Sequence, residues 1–103
     1  MPQFIFAYHG GGAPDTPEEG EKVMAAWMAW FGGMGDKVVQ PGNPVGMSKT
    51  VSSSGVADDG GANPLSGYSV VSAGSIEAAC DMAAGCPIIS DGGSVEVAEL
   101  MEM

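Results

Sequence analysis

The chain has very little positive charge, with three Lys and no Arg against 13 acidic residues and a formal net charge of −10. This balance repels phosphate backbones and anionic lipid surfaces, so it argues against binding to nucleic acid or to a membrane. Apolar residues make up 45% of the chain and charged residues only 16%, which is not the composition of a disordered protein. The sequence therefore predicts a folded, acidic protein.

Long apolar runs and metal-ligand clusters are also missing. No stretch approaches the roughly 20 apolar residues of a membrane span, and no basic segment precedes an apolar one at the start, so a cytoplasmic location is expected. The two cysteines, Cys80 and Cys86, have no neighbouring ligand residues and are predicted to be free thiols. With 103 residues, the chain fits a single domain over 1–103, without a metal site or a cofactor.

Hydrophobic periodicity and turn residues predict six main elements. Strands are expected at 3–9, 38–40, 65–73 and 94–99, and helices at 17–34 and after Ser75. Thr16, Pro17 and Glu19 form a capping signature for the first helix, whose apolar stripe is Val23, Ala26, Trp27, Trp30, Phe31 and Met34. The second helix is expected to bury Ile76, Ala79, Cys80 and Ala83. A polar extended piece is expected at 47–52, as part of an irregular hairpin or edge, and the segment 52–63 is predicted to be a mobile surface loop.

The resulting βαββαβ order predicts an α+β fold of the ferredoxin-like type, with a four-stranded antiparallel sheet and two helices on one face. The first strand is apolar on both sides, with Phe4, Phe6 and Tyr8 alternating against Ile5 and Ala7. Helices on one face leave the other bare. A homodimer in which two sheets pack face to face is therefore expected.

An ordered set of segments resembles the DGPF-domain branch of the YCII-related family. These segments are 18–34, 42–46, 49–51, 65–71, 85–88 and 92–97, and together they span nearly the whole chain. The resemblance implies a dimeric α+β barrel in a small bacterial protein of largely uncharacterised activity. It also makes Asn43, Met47, Lys49 and Tyr68 prominent.

The same resemblance draws attention to residues that this chain does not have. Enzyme-like relatives are associated with a His in the first helix and an Asp just before a Pro at the end of the second. Here the segment 18–34 contains no His, Cys86 precedes Pro87, and the Asp-Gly-Pro-Phe sequence is absent. The dyad cannot be transferred to this chain.

His9 is the only histidine and the natural candidate for proton transfer, although a structural role at a strand end is the alternative. Asp15 or Asp91 is the carboxylate expected to orient it if it acts as an acid or base. The glycines at 10–12 are interpreted as a connector and not a phosphate loop, since no Gly-Lys-Ser/Thr follows and Glu18 and Glu19 begin the helix.

The candidate ligand-binding residues are Tyr8, Asn43, Met47, Lys49 and Tyr68. Lys49 is one of only three cations and is predicted to attract the carboxylate of a small anionic metabolite, with Trp27, Trp30 and Met47 as apolar walls. The alternative for Lys49 is a solvated lysine paired with an acid.

Two functions remain open on the sequence alone. The first is a homodimeric module that binds a small metabolite or acts in regulation without catalysis. The second is a cofactor-free enzyme of lyase or isomerase type that uses His9 as its acid or base.

Overall fold

The central element is the strand Gln3–His9 (β1), which lies between two antiparallel neighbours, Leu65–Ser72 (β5) and Ser94–Glu99 (β6). The structure is a computed structural model that describes residues 1–11 and 15–102. Val38–Gln40 (β2) pairs with the far side of β5, so the strand order is β2-β5-β1-β6. The predicted α+β class and the four-stranded antiparallel sheet are therefore confirmed.

The long helix Pro17–Met34 (α1) begins at the predicted capping signature. The Glu19 amide donates to Thr16 Oγ1 at 3.1 Å, and the Glu19 carboxylate accepts from the Asp15 amide at 3.2 Å. These reciprocal bonds satisfy backbone donors that a helix start otherwise leaves unpaired. The helix ends at Gly35, whose φ of 58° is readily adopted by glycine.

Two shorter helices follow β5. The helix Ile76–Ala83 (α2) is capped by Ser75, whose hydroxyl accepts from the Ala78 amide at 3.1 Å. The short helix Pro87–Ser90 (α3) was not expected from the sequence, because a four-residue element carries no periodic signal. Among the described residues, no helix has the length and apolar character required to cross a bilayer.

Aromatic packing joins α1 to one face of β1. Phe4, Phe6 and Tyr8 are buried on this face, and Tyr8 meets Trp27 edge to face at a centroid distance of 4.9 Å. Phe6 stacks on Trp30 at 6.0 Å. The Trp30 indole also donates to the Met82 carbonyl at 3.0 Å, which ties α1 to the end of α2. Both helices thus cover the same side of the sheet.

The opposite face carries a half-buried apolar patch made of Ile5, Ala7, Val70 and Ala98, which we call the open-face patch. The strand register places Ile5 directly between Val70 and Ala98. The described chain measures 43 × 42 × 18 Å, and its smallest dimension is that of two layers packed about 10 Å apart. Its radius of gyration of 14.8 Å exceeds the value of about 13 Å typical of 100 residues. The described chain therefore has no third layer over this patch.

Two sequence predictions are wrong in detail. The strand Thr50–Ser52 (β3) lies in the predicted extended piece, but the segment predicted as a loop contains its hairpin partner, Gly55–Ala57 (β4), because a short polar strand lacks an alternating apolar signal. The predicted stripe of α2 is only half correct: Ala79 and Ala83 are buried, whereas Ile76 and Cys80 are exposed. An eight-residue helix presents only two turns to the core, and small residues let it lie close to the sheet.

The turn after β2 depends on Gly42. Its φ is 74°, and a Cβ atom at this position would collide with the backbone carbonyl of Tyr68. We expect Gly42→Ala to lower the free energy of unfolding by at least about 3 kcal/mol, since strain and a backbone clash combine. Gly61→Ala is the matched control, because Gly61 has a φ of 86° in open space and should cost about 1 kcal/mol. Urea denaturation measures both, and equal losses would contradict the close approach at Gly42.

Candidate functional site

His9 is held by the chain itself. It is only 8% exposed, its Nδ1 lies 3.1 Å from the Pro64 carbonyl, and its Nε2 lies 3.1 Å from Glu96 Oε1. A carbonyl and an ionised carboxylate can only accept hydrogen bonds, so both contacts are complete when both ring nitrogens carry hydrogen. Each ring nitrogen thus already faces an acceptor of the chain, so a substrate could reach one of them only after a contact breaks.

The carboxylate at His9 is Glu96 and neither Asp15 nor Asp91. The register pairs Glu96 with Ala7 and Ser94 with His9, so His9 and Glu96 are diagonal neighbours across β1 and β6. This is the side of the sheet that carries the open-face patch. The alternation along β6 could have assigned Glu96 to this face, but the sequence does not reveal which strand lies beside it.

A large concave surface lies on the opposite face, between α1 and the sheet. It is a groove of about 1000 Å³, bounded on one side by Met24, Met28 and Phe31 of α1 and on the other by Pro41 and Pro44. Its walls are predominantly apolar, which is typical of small-molecule sites. The groove runs along much of α1, from Pro17 to Phe31, and no residue of this helix is fully buried.

Tyr8 and Ser69 form the floor of this groove. The Tyr8 hydroxyl donates to Ser69 Oγ at 2.7 Å, and Ser69 Oγ donates to the Pro41 carbonyl at 2.5 Å. Burial raises the pKa of the Tyr8 hydroxyl well above its usual range, so it stays neutral at physiological pH. The floor is therefore a closed chain of neutral hydrogen bonds.

The structure separates the predicted ligand-binding residues into two groups. Tyr8, Asn43 and Tyr68 line the groove, and the Asn43 carbonyl accepts from the Tyr68 amide at 3.2 Å. Met47 is 90% exposed, and the Lys49 ammonium lies 2.9 Å from Asp58 Oδ1, across the β3–β4 hairpin. Lys49 thus has the acidic partner of its alternative interpretation, and neither it nor Met47 lines the groove.

Some groove residues carried no signal of their own in the sequence. Met24 and Met28 lie outside the predicted apolar stripe of α1, and Met28 is 68% exposed. Ser69 is an ordinary strand residue until its neighbours are known. Of the expected walls, Trp27 lines the groove, whereas Trp30 is engaged with Phe6 and Met82.

A smaller cavity of about 460 Å³ lies where α1 meets α3. It is lined by Gly11, Lys22, Trp27, Ile88 and Asp91, among others. Residues 1–11 and 15–102 contain no cluster of three or more His, Cys, Asp or Glu residues arranged to hold a metal ion. Lys22 and Asp91 give the smaller cavity charged groups of both signs, in contrast to the larger groove.

No protein-family model, no curated protein sequence and no solved structure matches the chain.

Neither thiol forms a disulfide, as the sequence predicts. Cys86 is buried at the start of α3, and burial raises its pKa to about 11. The thiolate is the reactive form, so Cys86 is inert near neutral pH.

We expect iodoacetamide at pH 8 to alkylate the exposed Cys80 in the folded protein and to leave Cys86 unmodified, because Cys86 is both protonated and shielded. Mass spectrometry of peptides reports the modified residue. In the Cys80→Ser variant, labelling should appear only after denaturation. Rapid labelling of that folded variant would show that Cys86 is accessible.

Proposed function

We propose that the protein is a homodimeric module that binds a small molecule in the groove along α1, without catalysis by His9. The observation that carries this proposal is the separation of the two features. The groove offers about 1000 Å³ of mostly apolar surface, whereas His9 is bonded to Glu96 and Pro64 on the other side of the sheet. The enzyme alternative requires a substrate to reach His9, and His9 does not line the groove.

The strand order supports a finer fold assignment. With the β3–β4 hairpin set aside, β2-β5-β1-β6 is the order expected of a ferredoxin-like βαββαβ chain. We therefore keep the YCII-related family of bacterial proteins as the proposed relationship. We also propose a cytoplasmic location. Both cysteines are free thiols, which is compatible with a reducing compartment.

The open-face patch supports the dimer. A central strand with apolar side chains on both faces is typical of a sheet that is covered on both sides. Ile5, Val70 and Ala98 form one cross-strand row, and a second copy related by a two-fold axis can present the same row in return. Packing two such faces removes apolar area from water at about 25 cal/mol per Å².

We expect Val70→Lys to convert the dimer to a monomer, because it places a charge at the centre of the interface. Light scattering should give a mass near 10.3 kDa for the variant and about twice that for the wild type. Ile89→Lys is the matched control, since Ile89 is an exposed residue of α3 on the helical side. A monomeric wild type, or a Val70→Lys variant that remains dimeric, would contradict the proposed interface.

The groove can be tested with Nile red, a neutral dye whose fluorescence rises in apolar surroundings. We expect Met28→Lys to weaken dye binding several-fold, because Met28 lines the groove at an exposed position where the fold tolerates a change. Ala29→Lys adds the same charge at the next, exposed position of α1, which does not line the groove, and should bind as the wild type does.

His9→Ala separates the two functions in the same assay. Binding that is unchanged in this variant supports the non-catalytic module, provided that circular dichroism shows an intact fold. Loss of dye binding in folded His9→Ala, with binding retained in Met28→Lys, would move the site to His9 and favour the enzyme alternative.

A further inference from the structure

The larger groove has an unusual electrostatic composition. Glu21 is the only charged residue that lines it, and no Lys contributes to its described surface. The whole chain, including Glu21, has a formal net charge of −10. An anionic ligand would therefore enter against the field of the protein and find no partner of opposite charge.

The groove reaches Pro17 and Gly20 in the first turn of α1, where the N-terminus of the helix could attract an anion. Helix N-termini carry a partial positive charge. Here the first turn contains Glu18 and Glu19, and Thr16 already accepts the Glu19 amide. The helix end is thus neutralised and capped from within the chain.

Three aromatic side chains on the helical side of the sheet also line the groove: Tyr8, Trp27 and Phe31. The register pairs Tyr68 with Ala7 of the open-face patch, so its ring is not counted among them. The faces of aromatic rings attract cations, and Trp does so most strongly. The hydroxyl of Tyr8 is already committed to Ser69, so its contribution to a ligand is the ring and not a hydrogen-bond donor. Apolar walls, aromatic rings and one carboxylate form a surface that suits a molecule with an apolar body and one positive charge.

We propose that the groove selects a small molecule with an apolar body and an ammonium group over neutral or anionic molecules of the same shape. This inference rests on the proposed binding function and adds the charge class of its ligand. The ammonium group lies towards Glu21 and the apolar body along Met24, Met28 and Trp27.

Three probes that share one apolar body test this preference: para-tert-butylbenzylamine, which is cationic at neutral pH, the neutral para-tert-butylbenzyl alcohol, and para-tert-butylbenzoate. Nuclear magnetic resonance titration at fixed ionic strength gives each Kd and identifies the groove through the Trp27 indole and Gly42 amide signals. We expect the amine to bind about tenfold more tightly than the alcohol, and the benzoate to bind most weakly.

Glu21→Gln should weaken binding of the amine about threefold and leave the alcohol unchanged. Glu18→Gln is the matched control: it changes the net charge equally, from the same helix, at a residue that does not line the groove. An equal loss in both variants would indicate general charge attraction and overturn the role of Glu21.

The outcomes separate this inference from the proposed function. Alcohol or benzoate binding at the groove signals as tightly as the amine overturns the charge preference and leaves the binding site intact. If no probe shifts the groove signals of the folded protein, both the inference and the proposed binding function fail.

Discussion

The packing of α1 on β1 through large aromatic side chains is the interaction on which the rest of the structure depends. Phe6 and Tyr8 project from alternate positions of the central strand and meet Trp30 and Trp27, one turn apart on the helix. Aromatic rings of this size hold the helix axis away from the sheet. This explains why no residue of α1 is fully buried and why a groove remains along its flank. The aromatic packing of α1 on β1 therefore accounts for both the core and the candidate site.

The uncovered face of the sheet imposes the second constraint. Helices α1 and α2 both cover the face of the sheet that carries Phe6 and Tyr8, and the described chain has two layers and not three. Ile5 and Val70 are left half-buried on a face without a covering layer. In larger α/β proteins, additional helices cover the second face of a sheet. A second copy of the chain would present the same apolar row in return, which is the reason the proposed working unit is a dimer.

Much of the fold could be predicted from local patterns, whereas the site could not. The capping of α1 by Thr16 and Glu19 depends on residues three apart in sequence, and it forms as predicted. The partner of His9 depends on which strand lies beside β1, and Glu96 is 87 positions away. Lys49 is a second example. The scarcity of cations in the sequence predicts a ligand contact for Lys49, whereas the hairpin places Asp58 beside it. Composition identifies unusual residues, and only the topology decides what they contact.

The position of His9 shows how one strand can keep two candidate sites apart. Successive side chains of a strand point to opposite faces, so Tyr8 contributes to the groove and His9 to the other side. The register changes between these two residues on the β5 side, at the point where Pro64 supplies its carbonyl to the imidazole. Catalysis at His9 would require its two hydrogen bonds to break and a substrate to approach from the face that the dimer is proposed to cover. Ligand binding in the groove requires neither the loss of these hydrogen bonds nor access to the open face, so it is the function that this fold favours.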